Sequence, residues 1–300
     1  MATSSWDVIS VGETMVLVTP IEGKGLDEAG HARLDVGGAE SNVVQYLAQD
    51  GHATLWGSAL GRDALGDRVE REVREPGVET IVYRDPLFPT GVYFKDVKGA
   101  KTRVHYYRAG SAASRLGPGF LQNLPLDHTR VLHLTGITPA LSTPCAELID
   151  AAFARARAGS ATISFDVNYR SALWPPDSAA PKLLELARRA DIVFVGLDEA
   201  SGLWSTQSPT DVRTLLPNGL LVVKNGAVGA TAYFERHEIF VPTPAIEVVE
   251  EVGAGDAFAA GFLSAWLRGN SHDEALTTGH RFAGFALSTL ADVARLGSAR

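Results

Sequence analysis

The sequence predicts an α/β fold: a doubly wound, mostly parallel β-sheet with helices on both faces and a small β-sheet lid. Short, almost continuously apolar runs, typical of strands covered on both faces, alternate with segments of helical periodicity along most of the 300 residues. Such alternation indicates consecutive βαβ units. Two more polar segments interrupt the alternation, and these predict the lid.

The apolar runs and the helical segments can be assigned in chain order. Where a strand ends, Gly12, Asp166 and Lys224 follow or close it, and ligands of such sheets bind beyond the carboxyl ends of the strands. The predicted strands are Val8–Val11, Ala53–Trp56, Val131–Leu134, Ala161–Phe165, Ile192–Val195 and Leu220–Val223. The predicted helices are Ser41–Gln49, Ala64–Val73, Pro144–Ala158, Ala180–Ala190 and Asp211–Leu215.

The two interrupting segments, Thr14–Val36 and Thr90–Arg108, have the pattern of strand hairpins, with Lys98-Gly99-Ala100 as the turn of the second. They are distant in sequence, and they can either pair as one small sheet over the ligand crevice or form two surface loops. We expect a single α/β domain over residues 1–300 with a discontinuous lid from about 14–36 and 90–108.

Composition and charge exclude several classes of protein. Hydrophobic residues make up 45% of the chain, enough to fold around a core. The 27 basic and 35 acidic residues give a formal charge of −8, which disfavours binding to nucleic acid or to an anionic membrane surface. A few arginines, one lysine and a helix N-terminus can still make a locally positive site for an anionic ligand.

The single cysteine and the N-terminus indicate the compartment. Cys145 has no partner for a disulfide, and we expect a buried structural thiol rather than a nucleophile. Met1–Asp7 lacks the basic and apolar parts of a signal peptide, and the apolar stretch Ala257–Leu267 is far shorter than the ~20 residues that cross a bilayer. We therefore expect a cytoplasmic protein without a membrane partner.

The segment Gly253-Ala254-Gly255-Asp256 is the most informative for chemistry. Phe258, Phe262 and Trp266 recur at helical spacing, so a helix begins near Asp256 and buries this stripe. Glycines before the helix expose backbone amides, and a helix N-terminus with free amides binds anions.

A carboxylate at that N-terminus, Asp256, is expected to stay ionised. An anion hole at Gly253, Ala254 and Gly255 beside a basic carboxylate suits phosphoryl transfer, with Asp256 taking the proton of the attacking hydroxyl. The alternative is that Asp256 only caps a helix after a glycine turn.

Two segments resemble the signatures of the ribokinase-like (PfkB) sugar kinases. Gly253–Asp256 resembles the C-terminal signature, and Gly37-Gly38-Ala39 with Asn42, Leu47-Ala48 and the glycine-rich Gly57–Gly66 resembles the N-terminal one. Two signatures in the right order are far more specific than either alone, and the resemblance covers nearly the whole chain.

Three further segments resemble the 2-keto-3-deoxygluconate kinases of that family: Tyr106–Ala112, Leu134–Ala140 and Phe165–Arg170. The first is the most discriminating, because other sugar kinases share the Asp-x-Asn-x-Arg theme of the third. This resemblance implies ATP-dependent phosphorylation of the 6-hydroxyl of 2-keto-3-deoxygluconate.

That substrate is a sugar acid, and its carboxylate needs cationic or hydroxyl donors. Tyr106 and Arg108 lie two apart on a predicted strand and face the same side, and Arg170 follows another strand. The alternative for the lid residues is ordinary pairing between strands. By resemblance the sugar-acid site contains Gly37, Gly38, Tyr93, Tyr106, Arg108, Arg170 and Asp292.

The nucleotide site is also implied by resemblance. Lys224, Gly226 and Gly229 match a family segment that contacts ATP, although two glycines three apart also suit a simple turn. The resemblance adds Asn168, Arg170 and the glycines Gly253 and Gly255 to the phosphate contacts. The P-loop and G-x-G-x-x-G motifs are absent from the sequence, which argues against a P-loop enzyme or an ordinary dinucleotide dehydrogenase.

The chain departs from the family pattern at two places. Glu250-Glu251 stands where the family has Asp-Thr or Asp-Pro, and this puts extra charge near the phosphates. Gly196 replaces the asparagine of the magnesium motif, so that Glu199 alone is left as a water-mediated Mg²⁺ contact. The resemblance leaves the requirement for a monovalent cation open.

Two other functions remain open at this stage: another kinase of the family, acting on fructose, ribose or a nucleoside, and a non-catalytic sugar or nucleotide sensor. By analogy with the family, we expect a homo-oligomer formed through an apolar outer face of the lid. That face is predicted to contain Val92, Phe94 and Val104.

Overall fold

A computed structural model describes residues 6–21, 24–98, 101–217 and 219–297. Its main feature is a nine-stranded sheet with the order β13-β12-β11-β10-β9-β8-β1-β4-β5. The seven strands from β11 to β5 run parallel, and β12 and β13 extend one edge antiparallel. These strands are β1 Trp6–Val11, β4 Thr54–Gly61, β5 Glu79–Asp85, β8 Thr129–Thr135, β9 Thr162–Asp166, β10 Ile192–Gly196, β11 Leu220–Asn225, β12 Gly229–Phe234 and β13 His237–Pro242.

Helices cover both faces of this sheet, and an apolar core fills each interface. The doubly wound, mostly parallel fold is therefore confirmed, as are all six predicted strands and all five predicted helices. The helices are α1 Ala39–Gln49, α2 Ala64–Arg74, α3 Thr138–Leu141, α4 Thr143–Ala158, α5 Pro176–Arg189, α6 Leu197–Trp204, α7 Pro209–Leu215, α8 Ala254–Leu267 and α9 His272–Leu287.

The two interrupting segments form one four-stranded sheet of order β3-β2-β6-β7, which confirms the lid and excludes two independent loops. Its strands are β2 Met15–Pro20, β3 Ala32–Gly37, β6 Val92–Lys98 and β7 Lys101–Tyr107. β2 and β6 join the two hairpins in parallel, whereas the other pairs are antiparallel. Gly99 and Ala100 of the predicted turn lie outside the described residues.

The assignment of Val104 to the outer face of the lid was wrong. Val104 pairs with Lys95, and Tyr93 pairs with Tyr106, so these four residues lie on one face. Val104 packs there against the buried cluster of Tyr93, Met15 and Leu17.

Helix α8, Cys145 and the length of the helices can be compared with the remaining expectations. The helix at Asp256, α8, is buried on nearly all sides and not along one stripe, because α1 and α9 pack against it. Cys145 is buried, as expected of a structural thiol, and donates to the carbonyl of Ala113. No helix within the described ranges is long and apolar enough to cross a membrane.

Candidate active site

The N-terminus of α8 lies at the centre of the candidate site. Gly253 precedes the helix with φ of +89°, and a Cβ there would be 2.5 Å from the carbonyl oxygen of Asp292. Glycine is required on both grounds. The amides of Gly255 and Asp256 have no backbone hydrogen-bond partner in the described chain, so they can receive an anion.

Asp256 is a buried carboxyl group held by two amides. Asn42 of α1 donates to Oδ2 at 2.8 Å, and Asn168, two residues after β9, donates to Oδ1 at 3.2 Å. Each carboxylate oxygen keeps a free lone pair for a hydroxyl proton.

Asp256 was expected to stay ionised at the helix N-terminus, but its burial in the fold opposes the charged form. Burial raises the pKa of Asp256 to about 7, with a further increase from Asp166, whereas the Asn42 hydrogen bond and the charges of Arg170 and Lys224 lower it. The cost of removing the charge from water outweighs the helix N-terminus. A carboxyl group with a pKa near neutrality is well matched to general-base catalysis.

Asn168 and Lys224 connect Asp256 to the carboxyl ends of β9 and β11. Asn168 has a left-handed backbone with φ of +40°. Asparagine adopts this conformation much more readily than a branched residue does. Lys224 donates to Asp166 Oδ2 at 2.8 Å, and its ammonium nitrogen lies 3.3 Å from where a Cβ of Gly255 would be. Although burial opposes the charged form, Asp166 and Glu199 raise the pKa of Lys224.

Glu199 and Asn168 each supply a side-chain oxygen of the kind that fits a magnesium ion bound through phosphates. Glu199 closes the first turn of α6, where it accepts from the amide of Gly196 at 3.1 Å, and burial raises its pKa well above the usual range. The side-chain oxygen of Asn168 is buried without a hydrogen-bond partner in the described chain. Mg²⁺ in nucleotide sites uses one or two protein oxygens and takes the rest from phosphates and water. Among the described residues, no group of three or more acidic, histidine or cysteine side chains is arranged around one point.

The predicted ATP segment is the hairpin turn between β11 and β12. The Val228 amide donates to Asn225, and Gly226 has φ of +47°. Gly229 begins β12 with φ of +154°, and a Cβ there would be 2.5 Å from the Phe240 ring. The backbone of the turn therefore explains why glycine stands at both positions. The turn begins at Asn225, one residue after Lys224.

The lid supplies the opposite wall of the site. Tyr93 stacks on Tyr106, with ring centroids 5.8 Å apart, and donates to Asp292 Oδ2 at 2.6 Å. A Cβ at Gly37 would be 2.1 Å from the Tyr93 hydroxyl and 2.4 Å from Asp292 Oδ2. Gly38 is the N-cap of α1, four residues before Asn42, whose side chain accepts from its amide at 3.3 Å. The structure thus brings the predicted lid residues, Asp292 and the glycines of the N-terminal signature together.

Arg108 is not a free cation. Its Nε and Nη2 contact Glu13 Oε2 at 2.6 and 2.5 Å, and Ser111 donates to the other oxygen of that carboxylate. Both members of the pair are buried, and the guanidinium lies 5.6 Å from the Tyr106 ring centroid. Within the part of the chain that the structure describes, Nη1 has no such contact and is the nitrogen left for a ligand.

The site was expected to be locally positive, but each of its cationic side chains lies beside a carboxylate. Arg108 is paired with Glu13, Lys224 with Asp166, and Arg170, whose side chain is 43% exposed, lies 3.7 Å from Glu199. The site presents individual cationic donors within an acidic surrounding, which favours a nucleotide that arrives with a divalent cation.

Sequence reasoning missed Glu13 and Lys95 and assigned no role to Asn42. Glu13 follows Gly12 at the end of the first strand, a position that topology marks for ligands, and this signal could have found it. Lys95 lies two residues after Tyr93 on β6 and shares its face. A lysine in a polar strand is usually solvated, so nothing in the sequence indicated that this one is buried.

The chain belongs to the pfkB family of carbohydrate kinases, whose family model matches residues 6–294. It is therefore an ATP-dependent sugar kinase, and ATP with Mg²⁺ is the phosphoryl donor.

Among curated relatives, a 2-dehydro-3-deoxygluconokinase of Bacillus subtilis is 34% identical over 91% of this chain and 87% of its own. A 2-dehydro-3-deoxygalactonokinase of Haloferax volcanii is 30% identical, covering 96% and 93%. Fructokinase-2 of Zea mays is also 30% identical, covering 85% and 78%. Among solved structures, a PfkB protein of Polaromonas superposes with a TM-score of 0.89 and 33% identity, covering 98% of this chain and 100% of that one.

Proposed function

We propose that the protein transfers the γ-phosphoryl group of ATP to the 6-hydroxyl of 2-keto-3-deoxygluconate, the compound that its relatives' names call 2-dehydro-3-deoxygluconate. The observation that carries this proposal is the buried guanidinium of Arg108 on the ligand-facing side of the lid, beside Tyr106. A neutral sugar has no need of a guanidinium there, whereas a sugar acid does.

The carboxylate end of the substrate binds at the lid in this proposal. Glu13 fixes Arg108 through Nε and Nη2, which orients Nη1 and removes the cost of a mobile side chain. The Tyr106 hydroxyl, on a side chain that is partly exposed, adds a second donor. Gly37 has no side chain, and this leaves room for the Tyr93 hydroxyl and the Asp292 carboxylate at this end of the site.

The reacting hydroxyl lies at Asp256. As its oxygen attacks the γ-phosphorus, the proton passes to a free lone pair of the Asp256 carboxylate, and the bond to the β-phosphate oxygen breaks. Asn42 and Asn168 hold the carboxylate in position, and the amides of Gly255 and Asp256 stabilise charge on the transferred group.

The nucleotide phosphates lie along the carboxyl ends of β9 and β11. Lys224 and Arg170 are the cations that face them, and the turn at Gly226 and Gly229 borders the nucleoside. Glu199 and the free amide oxygen of Asn168 are the groups that would hold Mg²⁺, which when bound neutralises phosphate charge. An enzyme that consumes ATP and carries one buried thiol is expected in the cytoplasm.

A second candidate is a kinase of a neutral sugar such as fructose. The observation in its favour is the Glu13–Arg108 pair, because a neutralised arginine attracts a carboxylate less strongly.

One experiment separates the two candidates. The charge-neutral double variant Glu13→Gln/Arg108→Gln keeps a polar pair and removes the guanidinium without leaving a buried charge unpaired. Loss of one charge-assisted contact, about 1.5–3 kcal/mol, should lower kcat/KM for the sugar acid roughly 10- to 150-fold and leave that for fructose within about twofold. ADP release is measured for both sugars, with Arg170→Gln in parallel to separate the lid end from the phosphate end. Equal losses for acid and neutral sugar would contradict the substrate proposal.

The lid also provides the surface for the proposed homo-oligomer. Its outer face carries Phe94 and Tyr107, which pack edge to face, and Tyr107 is largely exposed. Light scattering after size exclusion tests this; a monomer at all concentrations would contradict it.

A further inference from the structure

Lys95 is a lysine whose side chain is 0% exposed, although it lies on a strand of the lid. Its ammonium nitrogen is 3.0 Å from Asp292 Oδ1, 3.3 Å from the Leu290 carbonyl oxygen and 3.7 Å from Glu250 Oε2. A lysine is almost never buried without such partners, because removing the charge from water is costly. Something must therefore be gained by placing an ammonium group among these oxygens.

The two carboxylates belong to the two loops that flank the N-terminus of α8. Glu250 Oε1 accepts from the amides of Glu251 and Val252 at 2.9 and 3.3 Å, and so fixes the turn that leads into Gly253. On the other side, the Asp292 carbonyl lies against Gly253, where only a hydrogen fits. The ammonium group thus joins both supports of the anion-binding amides.

The same ammonium group joins them to the lid. Lys95 and Tyr93 project from one face of β6, and both contact the Asp292 carboxylate, Lys95 at Oδ1 and Tyr93 at Oδ2. The position of the lid strand and the position of the Gly253 turn are therefore not independent.

Charge explains why the position needs a cation. Glu250 and Asp292 are both buried, and with the Leu290 carbonyl they form a set of oxygens that would attract a free monovalent cation if the ammonium were absent. The glutamate at 250, which departs from the family's aspartate, is long enough to reach both its own loop amides and the lysine.

We propose that Lys95 is a built-in cation: its ammonium group takes the position that a free monovalent cation would occupy, couples the lid to the loops that shape the α8 N-terminus, and makes the enzyme independent of added K⁺. Lys95 is a positioning residue, since it acts through Glu250 and Asp292. The kinetic part rests on the proposed kinase activity, whereas the binding part does not.

The test uses Lys95→Met. Methionine is one atom shorter than lysine, so it keeps the apolar stem and vacates the position of the nitrogen. Activity is measured in NaCl, KCl and NH₄Cl at equal ionic strength, with whichever sugar gives turnover. The wild type should have the same kcat and sugar KM in all three salts. The variant in NaCl should lose at least about tenfold in kcat with a raised sugar KM, and should regain most of it in KCl or NH₄Cl.

Thermal unfolding without any substrate gives an independent result. The Tm of Lys95→Met should be higher in KCl or NH₄Cl than in NaCl, while the wild type shows no difference. This result stands even if the sugar has been assigned wrongly. Lys182→Met, which removes a partly exposed lysine from a pair with Asp150, is the matched control and should show no cation dependence.

Activation of the wild type several-fold by K⁺ would overturn the proposal, and so would a Lys95→Met enzyme whose activity and Tm ignore the cation. If Lys95→Met does not fold, the double variant Lys95→Met/Glu250→Gln, which has one buried charge fewer, is measured in the same way. A cation response in that protein supports the proposal, and no response overturns it.

Discussion

The hydrogen bond from Asn42 to Asp256 should set the pH at which the enzyme becomes active. The base must be ionised to take the hydroxyl proton, so kcat/KM should rise with pH through the Asp256 pKa of about 7. Asn42 donates to Oδ2 at 2.8 Å and lowers that pKa. Asn42→Leu removes the donor and keeps the side-chain size.

The size of the shift follows from the two forms of the carboxyl group. A hydrogen bond contributes about 1.5–3 kcal/mol to a charged acceptor and about 0.5–1.5 kcal/mol to a neutral one. The difference, about 1–1.5 kcal/mol, is about one pKa unit. The acid limb should therefore move from about pH 7 to about pH 8. At pH 7 the ionised fraction falls from about one half to about one tenth, a roughly fivefold loss that largely disappears at pH 9.

The assay is the pH dependence of kcat/KM by coupled ADP release, which reports the free enzyme. Ser41→Ala is the control, because it removes hydrogen bonds at the start of α1 to Gly38 and Thr14 but none to Asp256. It should leave the acid limb in place. An Asn42→Leu enzyme that loses activity equally at every pH would refute the assignment of Asp256 as the titrating base.

Three further predictions concern the base, the glycine turn and the lid ion pair. Asp256→Asn should lower kcat by about 10²–10⁴. The folded protein keeps the Asp256 proton from pH 3.8 to about 7, so the stability of the wild type falls as pH rises through that window. The variant has no such carboxyl group and should have a higher Tm than the wild type at about pH 8. Gly253→Ala places a Cβ 2.5 Å from the Asp292 carbonyl at a residue with positive φ, so it should lower both stability and kcat. Gly269→Ala, beyond the other end of α8, also has a positive φ of +79° but meets no close atom, so it should lower stability alone. Urea unfolding and steady-state kinetics of the two variants make this comparison. Glu13→Gln leaves the Arg108 guanidinium buried without a carboxylate and should cost about 3–5 kcal/mol in urea unfolding; a loss below about 1 kcal/mol would contradict the burial of that pair.

The parallel core of the fold was predictable because its strands are buried on both faces. Runs such as Ile192–Val195 contain only apolar residues and are short, which is typical of a strand covered on both faces. The edge strands β5 and β13 were missed because almost all of their residues are exposed or only partly buried, so neither strand has the continuously apolar run that identified the others. The lid and the shared face of Tyr106 and Arg108 were predicted, but Val104 was placed on the outer face although it lies two residues before Tyr106 on the same strand and therefore shares its face.

In the candidate site, glycines and strand-end residues were predictable, and the ion pairs were not. Gly253 and Asp256 are neighbours in sequence, and the chemistry of a helix N-terminus is local. Glu13 meets Arg108 across 95 positions, and Lys95 meets Asp292 across 197, so only the folded chain shows that these cations are already partnered. The raised pKa of Asp256 has the same origin, because burial depends on α1 and α9 packing around α8.

The most direct test of the central claim is the ratio of kcat/KM for 2-keto-3-deoxygluconate to that for fructose, measured by ADP release with saturating ATP and Mg²⁺. A site built around a lid guanidinium should prefer the sugar acid by at least about 100-fold, with the product phosphorylated at the 6-hydroxyl. A ratio near or below one would contradict the account and assign the enzyme to a neutral sugar.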